Sequence, residues 1–196
     1  MLSNLIKSLK KRRLSHLVAQ LNAKLQPVHR GEFFGDPLEQ ALDRSALGTV
    51  SGGGTMQEAT GEIEYCDIEV EINGPVSAAV SLVIATLEQL GAPKGSKLHV
   101  EAESREVPFG KLEGLAVYLN GTDLPDSVYR ECDSNFVHSE FNRLLGSSGR
   151  VLSFWQGPRE TAFYMYGSSY HGMSERLAAF IASYPLCEKC RLVQIA

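Results

Sequence analysis

Long apolar runs are missing from this 196-residue chain. With no stretch of about 18 apolar residues, no bilayer-spanning helix is expected. The first residues also lack the compact apolar core and small-residue cleavage site of a secretory signal, so a cytoplasmic protein is expected. Cysteine is scarce: Cys66, Cys132, Cys187 and Cys190 are the only thiols, and a chain long enough to bury a full core does not need them as bridges. Phosphate-loop motifs are missing too. The glycine segments 52–54 and 146–149 have neither the G-x-x-x-x-G-K-[ST] order nor G-x-G-x-x-G between a strand and a helix. Ser147 and Ser148 do not fit a nucleophile elbow. Phosphate-loop nucleotide hydrolysis and serine-hydrolase chemistry are therefore disfavoured.

Carboxylates are absent from residues 1–31, which carry Lys7, Lys10, Lys11, Arg12, Arg13, Lys24 and Arg30. The remaining 165 residues hold twelve cations against 23 carboxylates, so the formal net charge of −4 conceals a strongly acidic body. Such a body repels phosphate backbones and attracts basic surfaces, which argues against direct nucleic-acid binding by it. A hydrophobic fraction of 43% and a charged fraction of 21% are those of an ordinary globular chain.

From Leu2 to Leu25 the apolar positions 2, 5, 6, 9, 14, 17, 18, 21 and 25 recur at three- and four-residue steps. This predicts an amphipathic helix with Lys10–Arg13 crowding its polar side. A solvated helix packed on the domain is the simplest reading; an anionic lipid or an acidic partner is the alternative. A short helix over residues 37–47 and a flexible break at residues 51–55 follow. Residues 1–60 thus read as a basic amphipathic helix plus a glycine-rich connector, and residues 61–196 as an α+β body.

In that body, residues 62–72 read as a strand with a bulge near Tyr65 and Cys66. Pro75 opens a helix stopped by Gly91, and Leu98 and Val100 mark the next strand. A second β-α-β unit runs from Leu115 through a helix capped by Asp133 or Ser134 to Val151–Trp155. A third runs from Ala162–Tyr166 through a helix ending at Pro185 to Leu192–Ile195. Two such units joined by a hairpin-like link predict a ferredoxin-like split β-α-β sheet, extended by the third unit, with its helices on one face.

Asp67, Glu69 and Glu71 fall at every second residue of the first of these strands, opposite Ile68, Val70 and Ile72. This stripe is a solvated sheet face, or a surface for a divalent cation or a basic partner; no clustered oxygen-ligand loop accompanies it, so the partner is the better functional version. Cys187 and Cys190 have C-x-x-C spacing, which with His171 makes a candidate zinc or redox set. It is weak, because no second ligand pair accompanies it and buried structural thiols explain it as well. Tyr170, His171, Ser174 and Glu175 read as a helix cap before they read as an acid–base group; Trp155, Phe154, Phe163, Tyr164 and Tyr166 read as core before they read as a base-stacking platform.

These features favour a non-enzymatic binding or inhibitor-like module, of the immunity type by analogy of size and charge. Its acidic face would engage a basic protein surface, without a cofactor and with homo-oligomerisation open. The alternative is a small zinc or redox enzyme built on Cys187, Cys190 and His171.

Overall fold

Leu17, Ala19, Leu21, Ala23 and Leu25 have no accessible surface at all, while the residues between them are partly exposed. Burial at every second residue belongs to an extended chain, and strand β1 spans Ser15–Leu21. The helix expected over Leu2–Leu25 is thus corrected from residue 15 onwards. The leucines at 17, 21 and 25 satisfy both a four-residue and a two-residue period, and the small Ala19 and Ala23 decide for the latter. The structure, a computed structural model, describes residues 15–196. Leu2, Leu5, Ile6, Leu9 and the basic run Lys10–Arg13 lie outside the described residues.

After β1 come a helical passage, α1 (Pro27–Arg30), a wider-wound turn at Gly31–Gly35 and α2 (Asp36–Ser45). Strands β2 (Gly48–Gly52) and β3 (Thr55–Gln57) follow, so the expected flexible break at residues 51–55 is an edge of paired strand. Next are β4 (Ile63–Ile72), α3 (Val76–Gln89), β5 (Ser96–Val100) and β6 (Arg105–Phe109). These strands form one antiparallel sheet in the order β2-β4-β1-β5-β6, with β3 also on β4. β4 and β5 run parallel, because each is antiparallel to β1 between them. The bulge expected in β4 is present: Met56 faces Tyr65 whereas Gln57 faces Ile63, leaving Glu64 unpaired.

The second unit contains β7 (Glu113–Asn120), α4 (Asp126–Glu131), α5 (Ser134–Leu145), β8 (Gly149–Gln156), β9 (Glu160–Gly167), α6 (Tyr170–Ser183) and β10 (Arg191–Gln194). Its strand order is β10-β7-β9-β8, all antiparallel. Asp133 caps α5 by accepting from the Asn135 amide, and Ser169 caps α6 by accepting from Gly172.

The fold is ferredoxin-like α+β, twice over. β1-α2-β2-β4-α3-β5 gives the strand order 4-1-3-2 within the first sheet, and β7-α5-β8-β9-α6-β10 gives it again in the second. The third unit therefore does not widen the sheet begun by the first; it closes a second sheet with the second unit, and the first unit completes a sheet with β1, α2 and β2. A boundary at residue 60 would cut between β3 and β4, which are paired. The link between the two sheets is itself tied down. The amides of Lys111 and Leu112 donate to the Ala92 carbonyl, and that of Lys94 donates to Leu112. Gly110 is obligatory here: its φ is +99° and a Cβ would sit 1.9 Å from the Pro93 carbonyl oxygen.

Helices α2 and α3 cover one face of the first sheet, through Leu38, Leu42, Val83 and Leu87 against Leu17, Ile68, Val70 and Leu98. Helices α5 and α6 cover one face of the second, through Val137, Phe141, Met173 and Leu177 against Leu115, Val117, Phe163 and Met165. The other face of the second sheet, with Ala116, Tyr118, Leu152, Ala162, Tyr164 and Tyr166, is buried in the same apolar cluster as the first unit's core. The second sheet is therefore covered on both sides and the first on one.

Candidate functional site

The uncovered face of the first sheet is where the sequence-derived site residues lie. On β4, Cys66, Ile68, Val70 and Ile72 are buried, and Asp67, Glu69 and Glu71 alternate with them on the opposite side. Register places Gln20 beside Asp67, Val18 beside Glu69 and His16 beside Glu71. Lys97 and His99 of β5 continue the same rows, and Glu106 of β6 stands beside His99.

Lys97, a cation on this face, is already engaged, and so is the His99 ring. Glu106 receives Lys97 Nζ at 3.2 Å and His99 Nδ1 at 3.1 Å. Among the described residues no ion pair reaches Asp67, Glu69 or Glu71. Asp67 Oδ1 is buried without a hydrogen-bond partner among them. Burial pushes the Asp67 carboxyl above its ordinary pKa, helped by Glu69 and opposed by Gln20, His99 and Arg30. Three carboxylates on one strand face, one of them short of a donor, form a surface that an incoming cation relieves.

The second candidate set is not assembled. His171 lies in the first turn of α6 and pairs with Glu175 at 3.1 Å, both well exposed. Cys187 and Cys190 lie beyond the opposite end of that helix, roughly 20 Å away at 1.5 Å per residue. Cys187 is buried among the α5–α6 core residues, and burial pushes its thiol up to about 12, with Cys190 and Cys132 adding to the rise. Burial raises Cys190 as well. Both are packing thiols, protonated at neutral pH and so poor nucleophiles. Among the described residues no group of three or more His, Cys, Asp or Glu is placed to hold a metal ion. Cys66, likewise buried and raised to about 12, should share the inertness of Cys187. Iodoacetamide at pH 8 is expected to leave both unmodified in the native protein and to alkylate both in guanidinium, as read by peptide mass.

The aromatic set is divided. Tyr164 and Tyr166 are buried between the units and Phe163 in the helix-side core, whereas Phe154 is 42% exposed. The open face of the first sheet carries no phenylalanine, tyrosine or tryptophan on β1, and Tyr65 beside the carboxylates on β4. Its rings are Tyr65 of β4, His16 of β1 and His99 of β5, interleaved with Asp67, Glu69 and Glu71.

Sequence reasoning missed the polar cluster between the units. Glu62 Oε1 accepts from Tyr118 Oη at 2.6 Å and Tyr164 Oη at 2.9 Å, and pairs with Lys24 Nζ at 3.0 Å. The Lys24 amide donates to Tyr166 Oη at 2.8 Å, and Arg191 stacks 3.5 Å over the Tyr118 ring while pairing with Glu160. A second tether joins His29 Nδ1 to the buried Ser153 Oγ at 3.0 Å, where Ser153 also accepts from the Gln26 amide. Among the described residues no carboxylate pairs with this histidine, and its bond to Ser153 fastens α1 to β8.

No protein-family description and no curated protein matches the sequence. Among solved structures, the chain is similar to the first two RRM domains of the yeast poly(U)-binding protein, at 12% identity over 92% of this chain and 99% of that one, with a TM-score of 0.27. It is similar to an unknown protein from Galdieria sulphuraria at 12% identity, over 92% of this chain and 96% of that one, with a TM-score of 0.28. It is also similar to TiaS in a complex with tRNA, AMPCPP and agmatine, at 9% identity over 85% of this chain and 56% of that one, with a TM-score of 0.35. At such values the fold assignment rests on strand order, and function rests on the site. No helix of the described residues is long and apolar enough to cross a membrane.

Proposed function

We propose that the protein is a binding module whose open first-sheet face, centred on Asp67, Glu69 and Glu71, engages a basic surface of a partner protein. The observation that carries this reading is the asymmetry of the two sheets. The second has both faces buried, while the first leaves one face bare of helices, with three carboxylates that no described cation pairs. A rigid sheet holds these groups at the two-residue repeat of the strand, so a partner presenting Lys or Arg at matching spacing meets them without reordering the backbone. Long-range attraction speeds such encounters and is screened by salt.

Replacing Asp67, Glu69 and Glu71 together by Lys is expected to leave the circular dichroism spectrum unchanged and to weaken capture of the basic partner by about 100-fold or more. Association should slow with added salt for the wild type. Undiminished capture by the triple variant, or an association rate indifferent to salt, contradicts the reading.

A further inference from the structure

A cleft of about 360 Å³ opens between the first turns of α5 and the far end of the β8–β9 hairpin. It lies on the helix side of the second sheet, away from the acidic face. Its volume falls within the ~300–1,000 Å³ usual for small-molecule sites. Its apolar surface is Phe163 below and Phe154 beside it, a cross-strand pair of which only Phe154 is exposed. Every other lining group is polar and neutral: Ser134 and Asn135 at the helix end, Gln156 and Thr161 on the hairpin, and His138. No lining side chain bears a fixed charge, so the cleft has no cation for a phosphate or carboxylate and no carboxylate for an ammonium group.

His138 presents one defined face. The Val151 amide donates to Asn142 Oδ1 at 3.0 Å, which fixes the Asn142 amide with Nδ2 towards His138 Nε2 at 3.4 Å. Asn142 Nδ2 also donates to the His138 carbonyl at 3.3 Å; in the tautomer in which Nε2 accepts, Nδ1 carries the proton, and the described residues offer it no partner. Burial, with His29 nearby, holds the His138 pKa below its ordinary value, so the ring is neutral. The side chains of Gln156 and Thr161 also lack hydrogen-bond partners among the described residues, although they face each other across the hairpin.

We propose that this cleft binds a neutral planar heterocycle of the nucleobase type, stacked on Phe154, with its donor–acceptor edge read by Gln156, Thr161 and His138. An aliphatic ligand would leave those polar groups unpaired, and a charged one would be desolvated without compensation. Stacking on an exposed ring and hydrogen bonding to unspent amide and hydroxyl groups both favour a flat ring with a polar edge.

The test titrates the full-length protein with adenosine and with uridine, following its amide and histidine NMR signals. Saturable shifts at millimolar nucleoside are expected at His138, Phe154, Gln156 and Thr161 for at least one of them. Affinity should fall about tenfold in Phe154→Ala, a surface change that leaves the fold intact, and measurably in Gln156→Ala. It should be flat between pH 8 and pH 7, because His138, held below its ordinary pKa, is neutral there. The Asp67/Glu69/Glu71 triple Lys variant should bind nucleoside unchanged, which separates this site from the acidic face. No saturation with either nucleoside, undiminished binding by Phe154→Ala, or much tighter binding of the 5′-monophosphates overturns the proposal.

Discussion

Glu62→Ala is expected to lower the free energy of unfolding by about 2–4 kcal/mol, because it removes the shared acceptor of two buried tyrosine hydroxyls and one partner of Lys24, which keeps the Ile63 carbonyl and Glu58. Tyr118 and Tyr164 are nearly inaccessible and both donate to Glu62 Oε1, while Lys24 is shielded to 15% exposure beside it. Tyr118 and Tyr164 belong to the second sheet and Lys24 and Glu62 to the first unit, so the loss falls on the joint between the units. Burial alone would raise the Glu62 pKa, but hydrogen bonds from Tyr118, Lys24 and Tyr164 outweigh it and hold the carboxyl below its ordinary value. A group depressed in the folded state contributes stability above its unfolded pKa, near 4.5, and loses it as pH falls through the folded value. Wild-type stability should thus decline below about pH 4.5, and the variant should decline less steeply there. Urea unfolding at pH 7 and at lower pH measures both effects; a loss under about 1 kcal/mol at pH 7 would show that the cluster does not join the units. Changing Glu62 to Leu together with Tyr118→Phe and Tyr164→Phe should restore part of the loss, because an apolar joint leaves fewer orphaned groups.

Ala19→Asp should prevent folding outright or cost more than about 4 kcal/mol, while Val18→Lys should stay within about 1 kcal/mol of wild type. The contrast separates two periodicities of the same segment. In a helix, Val18 joins Leu14, Leu17, Leu21 and Leu25 on the inner stripe and Ala19 turns outward. In β1, Ala19 is sealed in the core and Val18 stands on the open face beside Glu69. Thermal unfolding followed by circular dichroism is sufficient to read the result. A tolerated Ala19→Asp would mean that β1 is not the central strand of the first sheet.

The same segment shows why some of the fold is legible in the sequence and some is not. β4 is readable because its carboxylates mark one face at every second residue, and Asp67, Glu69 and Glu71 stand out for that reason. Helices α3, α5 and α6 are announced by wide apolar stripes, and α5 and α6 by caps at Asp133 and Ser169 as well. β1 misleads because leucines four apart fit two periods. β2 and β3 carry Gly48, Gly52 and Thr55 where apolar side chains would mark a strand, and the edge strand β6 is interrupted by Pro108. One signal is present and unused: β7 and β9 are apolar on both faces, from Leu115 to Leu119 and from Ala162 to Tyr166, which is the mark of a sheet covered twice. Pairing β7–β10 into their own sheet follows from it. The Glu62 cluster leaves no local trace, since its tyrosines lie 56 and 102 positions away in the chain. Cys187 and His171 are near in sequence because α6 is short, yet a helix separates its two ends more effectively than a turn would.

Carboxyl footprinting tests the proposed binding face most directly. Free protein and its complex with the captured basic partner are treated with a carbodiimide and glycine ethyl ester, and labelling is read residue by residue. The account predicts that Glu69 and Glu71 are labelled in the free protein and protected in the complex, while Glu140 and Glu175 on the helices of the second unit label equally in both. Unchanged labelling of Glu69 and Glu71 in the complex, or protection confined to the second unit, would contradict it.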